Sequence, residues 1–189
     1  MRIVSLIPSA TEILFAVGAG DEVTGDTFEC DYPDEARQLT GRLRRRLASV
    51  AETVEGLGRP RVAVLEWTDP PFSSGHWVPD MVVAAGGRAV LGRAGRRSAE
   101  VTWDAVAGTG ADIIVVAPCG YRLEGARELA EQLIRSGHLP TGAPVWAVDA
   151  DACFVRPGPR LVDGIEALAA VIHPGALPLP EGVAVRIDG

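Results

Sequence analysis

The sequence contains no lysine: all 18 of its basic residues are arginine. Schiff-base chemistry and a Walker-type phosphate lysine are therefore excluded. Cysteine is scarce and dispersed, at Cys30, Cys119 and Cys153, with no CxxC pair. An odd, widely spaced set supports neither a disulfide framework nor a zinc ribbon. The apolar runs fall short of a membrane span, so no membrane insertion is expected. Aromatic residues make up only 5% of the chain, so wherever they gather carries information. Positive charge is outnumbered, 25 acidic residues against 18 basic giving a net charge of −7. Nucleic-acid affinity rests on neutralising phosphates, so that class of partner is excluded as well.

What remains is a chain of 189 residues, 47% of them hydrophobic, enough to bury the core of one domain with a small appendage. Residues 1–20 begin like a secretory leader, with Arg2, apolar residues and a small-residue end. Pro8, Ser9, Thr11 and Glu12 interrupt the stretch where a leader needs an unbroken apolar core. Residues 2–7 read instead as a short strand. Ser9 and Glu12 form a capping-box start for the helix that follows, and the expected compartment is cytoplasmic.

A second strand is expected over residues 22–28. Beyond Asp31-Tyr32-Pro33, the residues Ala36, Leu39, Leu43, Leu47, Val50 and Val54 recur every three or four positions. That spacing predicts one long amphipathic helix from Asp34 to about Leu57. The run Arg42, Arg44, Arg45 and Arg46 falls largely off the apolar stripe and reads as a solvated face. From there strands (61–67, 111–119, 144–150) alternate with helices (78–85, one opening at Thr102-Trp103-Asp104, 124–135, 159–172). Residues 183–187 suit an edge strand. This alternation predicts an α/β fold with a mostly parallel sheet flanked by helices. The expected division is an N-terminal piece over 1–33, a long helix over 34–57, an α/β lobe over 58–175 and a tail over 176–189.

In open parallel sheets, ligands bind beyond the carboxyl ends of the strands. The scarce aromatics cluster there in the sequence. Glu66-Trp67 leads into Phe72, His76 and Trp77; Pro118-Cys119 leads into Tyr121; Asp149 leads into Cys153, Phe154 and Arg156. Rings collected on one rim describe a cleft for a broad, partly apolar ligand. His76 is expected to hydrogen-bond in that cleft, and is also a candidate for ligating a metal carried by the ligand. Glu29, Cys30 and Asp31 with His76 could in principle hold a free metal, though their spacing does not demand one. Cys119, His76 and Asp69 could be arranged as nucleophile, base and orienter, but no oxyanion-hole motif accompanies them. Gly108-Thr109-Gly110 precedes a strand and so is no dinucleotide loop.

Four blocks carry a resemblance: SLIPSATEILFAVGAGDEVTGDTFECDYPDEA, VAVLEWTDPPFSSGHWVPDMVVAAGG, IIVVAPCGY and VWAVDADACFVRPGPRLVDGIEALAAVIHP. In order and spacing they resemble the helical-backbone (class III) solute-binding proteins of ABC importers, specifically the cobalamin-binding branch. The resemblance implies two α/β lobes joined by a rigid helix, with a corrinoid held between them and no catalysis. It places Pro8, Ser9, Trp67, Phe72, His76, Trp77, Cys119, Phe154 and Arg156 on the ligand faces. It also implies a permease-docking carboxylate at Asp104 or Glu100.

The sequence departs from that pattern where Asp31-Tyr32-Pro33 runs almost directly into the long helix, leaving out most of a first lobe. Phe28 and Cys153 stand where the branch often has histidine and tyrosine. A piece this small cannot sustain its own core, so it is expected to pack on the second lobe, join its sheet or complete itself against another copy. The functional expectation is a non-catalytic binder of cobalamin or a related tetrapyrrole, with no prosthetic group. Two copies in a homodimer could enclose the ligand. The alternative is an α/β interaction module that has lost its ligand.

Overall fold

The computed structural model describes residues 2–6, 10, 11, 14, 15, 17–25 and 34–187. The expected cap at Ser9 and Glu12, and the residues Pro8, Phe28, Glu29, Cys30 and Asp31, lie outside the described residues. At the N-terminus β1 (Ile3–Val4) and β2 (Val23–Gly25) form a separate two-stranded parallel sheet. Between them Ala10, Thr11, Leu14 and Phe15 are helical. The Ala19 amide bonds the Leu14 carbonyl at 2.8 Å and the Gly18 amide bonds Phe15 at 3.1 Å, with Gly18 at φ +78. This is a Schellman-type helix end, which needs a left-handed residue where glycine stands.

Helix α1 (Asp34–Val54) follows. The main sheet then opens with β3 (Arg61–Thr68), β4 (Pro71–Ser73), α2 (Val78–Ala84), β5 (Arg88–Ala89) and β6 (Ala99–Glu100). Next come α3 (Trp103–Gly108), β7 (Ile113–Val116), α4 (Leu123–Ser136), β8 (Val145–Val148), α5 (Ala150–Cys153), α6 (Arg160–Ile172) and β9 (Ala184–Ile187). The strand order is β6-β4-β3-β7-β8-β9, with β5 paired to the first residues of β3. β3, β5, β7 and β8 are parallel, while the β3–β4, β4–β6 and β8–β9 pairings towards the margins are antiparallel. The expected α/β architecture is present, with a parallel centre and antiparallel margins. Residues 183–187, expected as an edge strand, end in β9 on β8.

The centre of the sheet is covered on both sides, which is why its strands are continuous apolar runs. Successive side chains point to opposite faces. Val62 and Val64 join Val115, Val82 and Leu168 beneath α1, α2 and α6. Ala63 and Leu65 join Ile114, Val116, Ala126 and Leu133 beneath α3 and α4. Thr102 caps α3, accepting the Ala105 amide at 3.1 Å.

Helix α1 is seated by its C-terminal half. Val50 is buried and Leu47 and Val54 pack against the same core, as the stripe predicts. One arginine in the expected solvated run does otherwise. Arg42, Arg44 and Arg45 are exposed. Arg46, half-buried, donates from Nε to Glu166 at 2.8 Å and from Nη2 to Asp163 and Glu166 at 2.6 Å. The hydrogen bond it donates to Glu166, reinforced by Asp163, holds its pKa above the ordinary value. The position of acids on α6 decides which arginine is used, and that is a long-range fact. The N-terminal sheet touches the main body where Gly25 lies against Pro159, close enough that a β-carbon would fall 2.9 Å from the proline ring. It packs beside the lobe instead of extending its sheet.

Candidate functional site

β3, β7 and β8 end on the same edge, so the loops after them share one rim. The first loop is a tight reversal through a cis Asp69–Pro70 bond into β4. Trp67 donates its indole N–H to the Asp69 carbonyl at 2.9 Å, and its register partner across the reversal is Phe72. After β7 the backbone continues alongside β3: the Ala117 amide bonds the Leu65 carbonyl at 2.8 Å and the Cys119 amide bonds Glu66 at 3.2 Å. This delivers Tyr121 to Trp67, with ring centroids 5.7 Å apart in an edge-to-face pair. The Tyr121 carbonyl accepts the Asp151 amide at 3.0 Å, tying the second loop to the third. Trp67 and Phe72 are half-buried, and Tyr121 is exposed.

Glu66, one residue before Trp67, is buried and serves as a strut. Its carboxylate accepts the Gly75 amide at 2.9 Å and a short hydrogen bond from the Ser98 hydroxyl. This fastens segment 74–76 to segment 96–98. Gly75 lies so tightly on that second segment that a β-carbon would meet the Ser98 nitrogen at 2.4 Å. Only glycine permits the approach.

His76 follows with φ +53, among the described residues the one non-glycine at positive φ. Its amide donates to the Arg96 carbonyl at 2.5 Å, and its carbonyl accepts the Gly95 amide at 2.7 Å. A left-handed histidine is energetically unfavourable, and these two bonds hold it. Its side chain is exposed, with its ring 5.8 Å from that of Trp77.

The other expected rim residues are placed differently. Phe154 is completely buried, in the core against α6 and away from any open face. Trp77 is half-buried and donates its indole N–H to the Phe154 carbonyl at 2.7 Å, anchoring the start of α2. These two rings belong to the core because α2 and α5 close over the carboxyl edge. Arg156 is exposed and paired with Asp151 at 2.6 Å. Glu100 lies on the outermost strand, β6, and Asp104 in the first turn of α3, both exposed. Pro8 and Ser9 lie outside the described residues.

The three residues considered for nucleophilic catalysis are not assembled. No hydrogen bond joins Cys119 to His76 or Asp69 among the described residues. Partial burial, with the Glu66 charge nearby, pushes the Cys119 thiol above its ordinary pKa, the opposite of nucleophile activation. Among the described residues no group of histidine, cysteine and carboxylate side chains could hold a metal ion. Nor is any helix there long and apolar enough to cross a membrane.

Sequence reasoning did not find Ser98, the Arg96 carbonyl or Gly95. Their roles arise because β6 returns beside β4, and residues 66 and 98 carry no mutual signal along the chain. Two hollows, of about 380 and 490 Å3, lie away from the rim, one beside α2 and β5 and one below β8 and β9.

No family model and no curated protein sequence matches the chain. Solved structures do. A periplasmic heme-binding protein of Pseudomonas aeruginosa superposes with a TM-score of 0.67 at 18% identity, over 97% of this chain and 66% of that one. A periplasmic binding protein of Veillonella parvula gives 0.57 at 20% identity, over 86% of this chain and 54% of that one. A periplasmic vitamin B12-binding protein of Vibrio cholerae gives 0.51 at 17% identity, over 90% and 96%. The chain thus spans about half to two thirds of the length of the first two. The likeness is one of fold: this is a periplasmic-binding-protein-like α/β architecture.

Proposed function

We propose that the protein binds a broad, planar, metal-chelating ligand, a corrinoid or another tetrapyrrole, at the carboxyl edge of its sheet, and does no chemistry on it. The observation that carries this reading is the Trp67–Tyr121 ring pair on an open rim in a chain poor in aromatics. Rings left half-covered by the protein gain the rest of their burial from a ligand, about 1.5–3 kcal/mol for a fully covered side chain. Phe72 and the exposed imidazole of His76 extend the same rim. In this reading His76 is the candidate to ligate a metal carried by the ligand. The solved structures of the same fold include heme- and vitamin B12-binding proteins, which supports the ligand class.

A single lobe encloses less of a ligand than two, so we further propose that a second copy closes over the rim. In this reading Asp104 and Glu100 are the carboxylates offered to a permease. The test is titration with haemin and with cyanocobalamin, followed by absorbance and calorimetry, and the mass in solution with and without ligand. Saturable binding is expected, weakened about tenfold by Trp67→Ala or Tyr121→Ala, a loss of ~1.4 kcal/mol. His76→Ala should shift the absorption bands if the imidazole meets the metal. No saturation up to millimolar ligand would remove the proposal. A second reading, an interaction module without a ligand, is favoured by the withdrawal of two expected rings from the rim, Phe154 into the core and Trp77 onto the Phe154 carbonyl. It expects the rim substitutions to leave every absorbance trace unchanged.

A further inference from the structure

Arginine is distributed unevenly with respect to its partners. Arg61, at the start of β3, is satisfied by Asp112: its Nη2 donates to Oδ1 at 3.1 Å and its backbone amide to Oδ2 at 2.7 Å. Hydrogen bonding from Arg61 holds the Asp112 carboxyl below its ordinary pKa. Both carboxylate oxygens are thereby engaged. Directly across the parallel pairing, the register partner of Arg61 is Arg88 on β5. Like charges on adjacent strand positions repel, and here the one acid, Asp112, is bonded to Arg61 alone. Arg88 is exposed, and among the described residues neither its side chain nor that of Arg59 forms an ion pair or hydrogen bond.

These two unpaired arginines line the same hollow, about 380 Å3 in volume, beside α2 and β5. Its apolar wall comes from Pro79, Val83 and Ala89, and Val83 is 47% exposed, high for a valine. The size falls within the ordinary range for small-molecule sites. Asp80 is the acid among the lining residues and pairs with neither arginine.

We propose that this hollow is a binding site for a small oxyanion carried on an apolar body, an aromatic or branched carboxylate or phosphate ester. Arg59 and Arg88 grip the oxyanion, and Val83 and Ala89 cover the body. The chemistry follows from the parts. A guanidinium presents a planar fork that matches carboxylate or phosphate oxygens in pairs. Two such forks without a protein counterion supply the charge that the register leaves uncompensated. The site lies at the opposite end of β3 from the aromatic rim and is independent of what that rim binds.

The experiment is calorimetry at low salt with benzoate and phenyl phosphate, each against its plain counterpart, acetate and inorganic phosphate. Saturable one-to-one binding is expected for the two aromatic probes, with a dissociation constant of about 1 mM or tighter. Acetate and inorganic phosphate should bind at least about fivefold more weakly, since they leave the apolar wall wet. Benzoate against phenyl phosphate tells which oxyanion the forks prefer. The double variant Arg59→Gln/Arg88→Gln should lose at least about tenfold in affinity while unfolding at an unchanged temperature. Arg93→Gln/Arg97→Gln, which removes exposed charge from the neighbouring loop, should cost about twofold or less. Asp80→Asn should tighten binding by relieving repulsion. The proposal is overturned by absence of saturation, by equal affinity for the plain anions, or by equal losses from the two double variants.

Discussion

The two halves of helix α1 end in different surroundings, and the contrast runs through the whole molecule. Its C-terminal half lies on the three-layered lobe, where Val50 is buried and Arg46 is fixed to two acids of α6. Its N-terminal half leads to a sheet of two short strands, where Val4, Leu6 and Val17 are 41%, 66% and 71% exposed. In the lobe, Val62, Ala63, Val64 and Leu65 are all at most 1% exposed. The same residue types are inside in one region and outside in the other. Hydrophobicity does not decide burial; the presence of a second layer does. The lobe has helices on both faces of its sheet, whereas the N-terminal strands form a separate two-stranded sheet that meets the lobe at Gly25 and Pro159.

The sharpest way to break that contrast is to empty the better-packed side. Phe154→Ala removes a ring with no exposed surface and withdraws packing from α6, so we expect a loss of about 3–5 kcal/mol in urea unfolding. The Trp77 emission should change with it, because the Phe154 carbonyl holds the indole. A loss below about 1 kcal/mol would mean that the rim end of the lobe is as loosely built as the N-terminal sheet.

Cys153 offers a second test through pH. Burial, reinforced by nearby Asp163 and Asp149, pushes its thiol to about 11. A group whose pKa is raised on folding contributes stability that is complete below its unfolded value and is lost as pH rises. The ordinary value is near 9, so the loss should run from about pH 9 to about pH 11. Cys153→Ala should unfold with no such slope. Persistence of the slope in that variant would assign it to another group.

The ion pair that seats α1 should matter less. Arg46 reaches two acids in a forked geometry but is more than a third exposed, and water screens it. Arg46→Ala should cost about 1 kcal/mol, and Arg46→Lys should recover only part, lacking the fork. Hydrogen exchange along residues 38–45 should rise more than in the strands, because this pair fastens the helix near its middle.

The lobe was legible in the sequence because its elements depend on nearby residues. The stripe from Leu39 to Val54, the cap at Thr102 and the apolar runs of β3, β7 and β8 are all local patterns, and each gives the element expected. β4, β5 and β6, each two or three residues long, left no periodicity to read, and they are what brings Ser98 to Glu66 and Arg88 to Arg61. The carboxyl-edge rule expected Trp67, Phe72, His76 and Tyr121 on one rim; Trp67 faces Phe72 across the reversal and meets the Tyr121 ring, while the His76 ring lies by Trp77. The rule could not distinguish rings that stay at the surface from rings drawn under α2 and α5, such as Phe154, because that depends on a helix of four residues. Nor could the arginine run reveal which member points at acids 117 and 120 positions away.

The smallest expected effect bears most directly on the N-terminal region. Leu6→Ser and Val17→Ser replace side chains that already face water, so each should change stability by less than about 0.5 kcal/mol. Neither should alter the mass in solution. The comparison is with Phe154→Ala in the same urea series, since a buried and an exposed apolar residue then report on one transition. A loss above about 2 kcal/mol from Leu6→Ser, or a mass that falls by half, would mean that this face is covered in solution by another copy. In that event Val4, Leu6 and Val17 form an interface, and the contrast between the two regions belongs to the single chain and not to the assembled protein.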